Sequence, residues 1–283
     1  MYQGTTATKF GRYHVAEPFR ADLLHLYRGG TLKTAAHEIP IPVLDQEDLG
    51  AQGIDTSRLI PGAAKADALG SCTANATTAS LAERYKVAGE SLLKIKLPSA
   101  DGILGITTSG PAAREDEEFA IVFYDLCTHQ TGDPSQEWPP TDCGSTGLYC
   151  CQELIRQKLI RTYKTGTGGQ TLASMLQSGS VIMGSPWFNA WMEPNALGFV
   201  DGDGSMGALQ AAMNSGIAGG HETCVYELPK LTLNPDGSIN LQQSWAQVRN
   251  SWSRSWGLNG DYRIHLSTVT WLSQSIDLKQ FVL

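Results

Sequence analysis

The sequence predicts an α+β protein, with a mainly helical first half followed by a half of short strands. Three observations carry this. The run from Cys72 to Tyr85 is rich in small residues, holds no Gly or Pro, and repeats apolar positions at helical spacing. Beyond about residue 180, short β-branched and aromatic runs are separated by Gly, Pro, Asn and Asp clusters. Thirty glycines in 283 residues suit a loop-rich fold better than a helical bundle. The expected division is an extension over 1–60 and a main domain over 61–283, its helical half covering about 61–175 and its β half about 176–270.

In chain order, residues 1–60 look irregular apart from a short helix near Phe19–Tyr27 and the extended run Ile39-Pro40-Ile41-Pro42-Val43. A helix begins near Ser71. Ser109-Gly110-Pro111 followed by Glu115-Asp116-Glu117-Glu118 reads as a helix start, because carboxylates complement the positive end of the helix dipole. Phe119–Leu126 taken alone fits a strand equally well. Leu148–Tyr163 reads as an amphipathic helix, with Cys151, Leu154, Ile155 and Leu159 on one side and Arg156, Gln157 and Lys158 on the other. Ser180–Gly184, Glu222–Leu228, Ser244–Ser251 and Tyr262–Thr268 read as strands, and Asn234-Pro235-Asp236-Gly237 as a turn between two of them. The Gly-rich stretch Ala196–Gly220 reads as a long loop, a common place for function.

Bulk properties exclude several classes. The net charge is −7 with no basic block, which argues against nucleic acid as a partner. No apolar run approaches the roughly 18 residues of a membrane span. The polar start carries no secretory pattern, so a cytoplasmic setting is expected. Six cysteines without such a signal read as reduced thiols, and no Cys/His spacing reads as a zinc site. Neither a metal nor a cofactor is expected.

Three polar side chains stand out. Gly70-Ser71-Cys72 opens a helix, Gly219-Gly220-His221 opens a strand, and Asn250 is followed by Ser251 and Trp252. A thiol attacks an amide carbonyl well only as thiolate, and a helix N-terminus or a neighbouring imidazolium favours that form. Gly70 lets the backbone turn tightly and a substrate approach. An imidazole can take the thiol proton and later give it to the leaving amine. An Asn amide can hold the ring without adding charge, and an adjoining indole can keep water off that bond. Each feature alone is ordinary. A Cys at a helix start is most often a small buried residue, and Asn-Ser is common turn chemistry. What is unusual is their combination in one order, with Trp256-Gly257 and Gly260-x-Tyr262 following.

That combination resembles the papain-like cysteine peptidases over about Asp55 to Leu266. Leu69-Gly70-Ser71-Cys72-Thr73-Ala74 is similar to the nucleophile segment of bacterial, archaeal and viral members. Gly219-Gly220-His221 and Trp245-x-x-Val248-x-Asn250-Ser251-Trp252 match their His and Asn segments. Asp142-Cys143-Gly144 is similar to the segment lining the non-primed substrate cleft. The resemblance implies a helical half and a β-barrel-like half meeting at a cleft. It implies Cys72 as nucleophile, His221 as general base and acid, and Asn250 as orienting residue. Gly70, Ser71 and Trp252 would support them, and Asp142, Gly144 and Gly220 would lie along the cleft. The substrate would be a peptide or protein.

Three positions depart from the family pattern. Ala66 stands where the family has a Gln that donates to the oxyanion. Ser253 stands where Gly usually follows Asn-Ser-Trp, and residues 1–60 do not resemble the usual inhibitory prosegment. Loss of one oxyanion donor typically costs about 10²–10³ in rate. The expected function is therefore a thiol endopeptidase. The alternative is a weakly active or inactive scaffold serving as a structural or binding component with a protein assembly partner. A virus particle is one setting for it, since viral members share the nucleophile segment. A cell-wall amidase ranks last, because such hydrolases lack the Asn-Ser-Trp signature.

Overall fold

The computed structural model describes residues 32–37, 39, 43–87, 96–99, 102–105 and 112–283. The expected helix near Phe19–Tyr27 lies outside them, as do the helix-start signal at 109–111 and most of the 39–43 run. In chain order the elements are β1 (Ala35–Ala36), α1 (Thr56–Leu59), α2 (Cys72–Val87), β2 (Lys96–Ser99), β3 (Gly102–Gly105), α3 (Ala112–Thr128) and α4 (Gly147–Arg156). Then follow β4 (Thr162–Gly166), α5 (Gly169–Met175), β5 (Val181–Phe188), α6 (Met206–Asn214), β6 (Ile217–Lys230), β7 (Trp245–Arg249), β8 (Asp261–His265), α7 (Leu266–Trp271) and β9 (Asp277–Val282). The helical first half and stranded second half of the sequence reading are both present. No described helix is long and apolar enough to cross a membrane.

The main sheet is antiparallel, in the order β4-β9-β5-β6-β7-β8, with β1 added along β6. Its strands alternate between two cores, as the period of two requires. Ile182, Cys224 and Phe281 enter a core shared with α2, α3 and α4, whose other members include Leu49, Phe119, Phe123 and Leu154. Val181, Met183, Val225 and Val248 enter a second core built on Trp187, Trp191, Trp252, Trp256 and Tyr262. Helix α2 runs between the two halves and packs against α3 on one side and β6 on the other. It is buried on every face through its first three turns, which only small side chains permit at that closeness. Residues 43–60 are part of this body, since Leu44, Leu49, Ile54 and Ile60 are core residues.

Phe119–Leu126, which by sequence fits helix or strand, is helical, and Phe119 stacks on Phe123 one turn later, with ring centroids 6.0 Å apart. Three local expectations change. The expected Leu148–Tyr163 helix stops at Arg156. Lys158 takes a left-handed φ of 59°, its N–H donates to Ile155 O, and Leu159 N–H donates to Leu154 O. This is a Schellman stop with Lys where Gly is usual, so no sequence signal marked it. Tyr163 instead sits in β4 opposite Phe281, and Ile155 is half in solvent. The Ala196–Gly220 stretch is not one loop. Ser205 caps α6, accepting from Ala208 N–H, and Gly219 and Gly220 lie within β6 opposite Trp187 and Pro186. The last expected strand ends at His265, where α7 begins.

Candidate active site

Cys72 is the first residue of α2 and is fully buried. Its approach is fixed by a brace. Gly70 N–H donates to both oxygens of Asp142, at 2.9 and 3.0 Å. Tyr124 Oη–H donates to Asp142 Oδ1 at 2.8 Å, and Gly144 N–H donates back to Tyr124 Oη at 2.9 Å. Gly144 sits at φ 86°, where glycine is favoured. Asp142, expected along the cleft, thus meets the loop before Cys72 directly, and Gly144 is tied to it through Tyr124. Tyr124 was not anticipated, because it falls in the run whose secondary structure the sequence left ambiguous. Ser71 is buried, and its carbonyl accepts Asn75 N–H at 3.0 Å.

His221 comes from β6, opposite Ser185 of β5, and Gly220 beside it is half-buried. Asn250 follows the last residue of β7, held there by its own N–H donating to Gly260 O at 2.9 Å. His221 Nε2–H donates to Asn250 Oδ1 at 2.7 Å, and the same oxygen accepts Ser251 N–H at 2.8 Å. A neutral ring that donates from Nε2 keeps its lone pair on Nδ1, the tautomer suited to accepting a thiol proton. Trp252 stacks on the imidazole with centroids 4.6 Å apart and planes 22° apart, and Trp187 meets it edge-on at 5.0 Å. Trp252 packs edge-on against Trp256, whose Nε1–H donates to Met192 O at 2.7 Å. The aromatic residues that made the sequence distinctive therefore form the wall behind the His–Asn bond.

Burial dominates the electrostatics. It pushes the His221 pKa down to about 4, against the opposing pull of the Asn250 hydrogen bond. The imidazole is therefore neutral near pH 7 in this covered arrangement. All six cysteines are free thiols. The buried Cys127 and Cys224 are pushed well up by desolvation, and half-buried Cys143 is raised by the same cause.

Two of the three departures, Ala66 and Ser253, have structural places. Ala66 N–H donates to Thr56 Oγ1 at 2.9 Å, and the residue packs against the helical core without a polar side chain. Ser253 adopts φ 63°, the left-handed conformation that makes glycine the usual choice there.

No protein-family model matches the sequence, and no curated protein does. Solved structures do. The chain is similar to digestive procathepsin L 3 of the Tenebrio molitor larval midgut, with a TM-score of 0.51 and 11% identity over 92% of this chain and 73% of that one. It also matches procathepsin B S9 from Trypanosoma congolense, with a TM-score of 0.47 and 11% identity over 95% of this chain and 85% of that one. Xylellain, a cysteine protease from Xylella fastidiosa, matches with a TM-score of 0.48 and 15% identity over 98% and 97% of the two chains. At such identities the likeness concerns the fold, which is papain-like.

Proposed function

We propose that this chain is a papain-like cysteine peptidase that hydrolyses peptide bonds through an acyl-enzyme on Cys72. The observation that carries the reading is the 2.7 Å bond from His221 to Asn250 beneath the stacked Trp252, on the strand against which the Cys72 helix packs. His221 Nδ1 takes the Cys72 proton, and the thiolate sulfur attacks the substrate carbonyl carbon. The backbone N–H of Cys72 at the helix start donates to the developing oxyanion. His221 then gives its proton to the leaving amine, the C–N bond breaks, and a thioester remains. A water that loses its proton to His221 attacks the thioester, releasing the acid and restoring the thiol. Asn250 holds the ring through both proton transfers, and Trp252 keeps solvent from the bond that does so. No cofactor enters these steps.

Cys72 and His221 are both fully buried, so a peptide enters only once the site is uncovered. Uncovering also restores hydration to the imidazolium, which favours the thiolate–imidazolium pair. The same burial, with Ala66 in place of an oxyanion donor, favours a second reading: a papain-like scaffold of little turnover serving as a binding or structural component. Treating the protein with an epoxide electrophile and locating the adduct by mass spectrometry separates the two. The peptidase reading expects an adduct on Cys72, and turnover of an unfolded protein that Cys72→Ala abolishes. No adduct on Cys72, with no turnover, favours the scaffold.

A further inference from the structure

Gln46 was singled out by no motif, yet it joins the two segments that bear Cys72 and Asn250. It is fully buried. Its backbone N–H donates to Ser251 O at 3.0 Å, and its backbone oxygen accepts Leu69 N–H at 3.0 Å. The side chain repeats both links. Oε1 accepts the Ser251 hydroxyl at 2.6 Å, and Nε2 donates to Leu69 O at 3.2 Å. Its neighbours extend the stitching. Leu44 O accepts Ser253 N–H, Asp45 bridges Trp252, and Leu49 N–H donates to Asp67 O. One short segment is thus laced to 67–69 on one side and to 251–253 on the other. Leu69 lies three residues before Cys72, and Ser251 adjoins Asn250.

We propose that Gln46 is a positioning residue, setting the register between the strand end that carries Asn250 and the loop that delivers Cys72. The inference rests on the catalytic reading above. Proton transfer between sulfur and imidazole tolerates little error, since a misplacement of about 1 Å can cost about 10²-fold in rate. The backbone links hold the segment in place. The amide side chain is what resists sliding of one segment past the other, because each of its two ends has a fixed partner. Methionine at this position keeps the volume and deprives both partners of their bond. Serine-to-alanine at 251 removes one end only.

The test uses the full chain as wild type, Gln46→Met, Ser251→Ala and the double variant. Active sites are titrated with the epoxide, and kcat and KM are measured per titrated site. The rate of Cys72 alkylation by iodoacetamide is followed from about pH 4 to pH 9. We expect Gln46→Met to lower kcat per site about 10-fold or more with KM little changed, as for an interaction that matters in the transition state. The acid limb of Cys72 alkylation should move to higher pH. The double variant should be no slower than Gln46→Met alone, since the two side chains act as one unit. A Gln46→Met protein with reduced melting temperature but wild-type kcat per site and an unmoved acid limb overturns the inference alone. A wild type with neither turnover nor an acid limb at Cys72 overturns the catalytic reading, and the inference with it.

Discussion

Replacing Glu117 with Gln should flatten the pH dependence of stability. Glu117 is fully buried on α3, beside α2. Its Oε2 accepts Asp45 N–H and its Oε1 accepts Asn75 Nδ2–H, both at 2.8 Å, and Gln52 also bonds to it. Burial raises its pKa from 4.5 to about 7, against the pull of these donors and with some help from the Asp45 charge. A carboxyl whose pKa is raised on folding holds its proton more tightly in the native state. Its contribution is therefore fully present below pH 4.5 and is lost as the pH rises to about 7. The gap corresponds to about 3 kcal/mol, most of it lost between about pH 5 and pH 8. Asp45, raised to about 6 mainly by burial and further by Asp48, adds a loss of the same sign.

Glutamine preserves the shape and removes the titration. Its oxygen can keep Asp45 N–H. Its amide N–H₂ would face Asn75, whose Oδ1 is buried without a hydrogen-bond partner, so turning the Asn75 amide over supplies an acceptor. Urea unfolding followed by tryptophan fluorescence at about pH 5 and pH 8 is the assay. The wild type should lose about 2 kcal/mol more than Glu117→Gln across that interval. Equal losses in the two proteins would refute the argument, because the buried proton would then not exist.

Once the site is uncovered, limiting iodoacetamide near pH 6 should label Cys72 first, because hydrated His221 then favours its thiolate while desolvation raises Cys127, Cys143 and Cys224; prior labelling of half-buried Cys143 would remove Cys72 as the activated thiol. Cys72→Ala should show no turnover, whereas Asn250→Ala should keep a reduced rate, since orientation contributes less than the nucleophile. Steady-state kinetics with matched circular dichroism would check this pair, and an inert Asn250→Ala that is fully folded would contradict it. Ser253→Gly should raise the unfolding midpoint, with a gain on the order of 1 kcal/mol from relief of the left-handed backbone at φ 63°. No gain in urea unfolding would show that the Ser253–Ser255 hydroxyl contact, at 2.7 Å, offsets the strain.

Several parts of this protein were legible in its residues because the physics there is local. A run of small residues without Gly or Pro is a helix wherever it packs, and α2 follows it from Cys72. Short β-branched and aromatic runs bounded by turn residues marked β5, β6 and β7. The Asn250-Ser251-Trp252 segment was conspicuous because an amide beside two tryptophans has little use in an ordinary turn, and its indoles do form the wall behind His221. Other parts depended on partners distant in sequence. Strand β9 carries a fully buried Lys279 ion-paired to Asp277, so its composition resembles a surface segment until β4 and β5 pair on either side of it. The end of α4 is a different case: its two closing bonds, Lys158 N–H to Ile155 O and Leu159 N–H to Leu154 O, are local, but a lysine takes the left-handed position where glycine is usual, so composition does not mark it. Tyr124 and Gln46 are the sharpest cases. Neither sits at a spacing that predicts chemistry, and each acquires its place only when α3 and the segment 43–49 are packed against the loop before Cys72. The sequence by itself singled out Cys72, His221 and Asn250 as the candidate side chains, because their residue types and immediate neighbours are read locally. The tertiary structure decided which distant segments brace the loops that carry them, because hydrogen bonds between segments far apart in the chain leave no periodic trace in it.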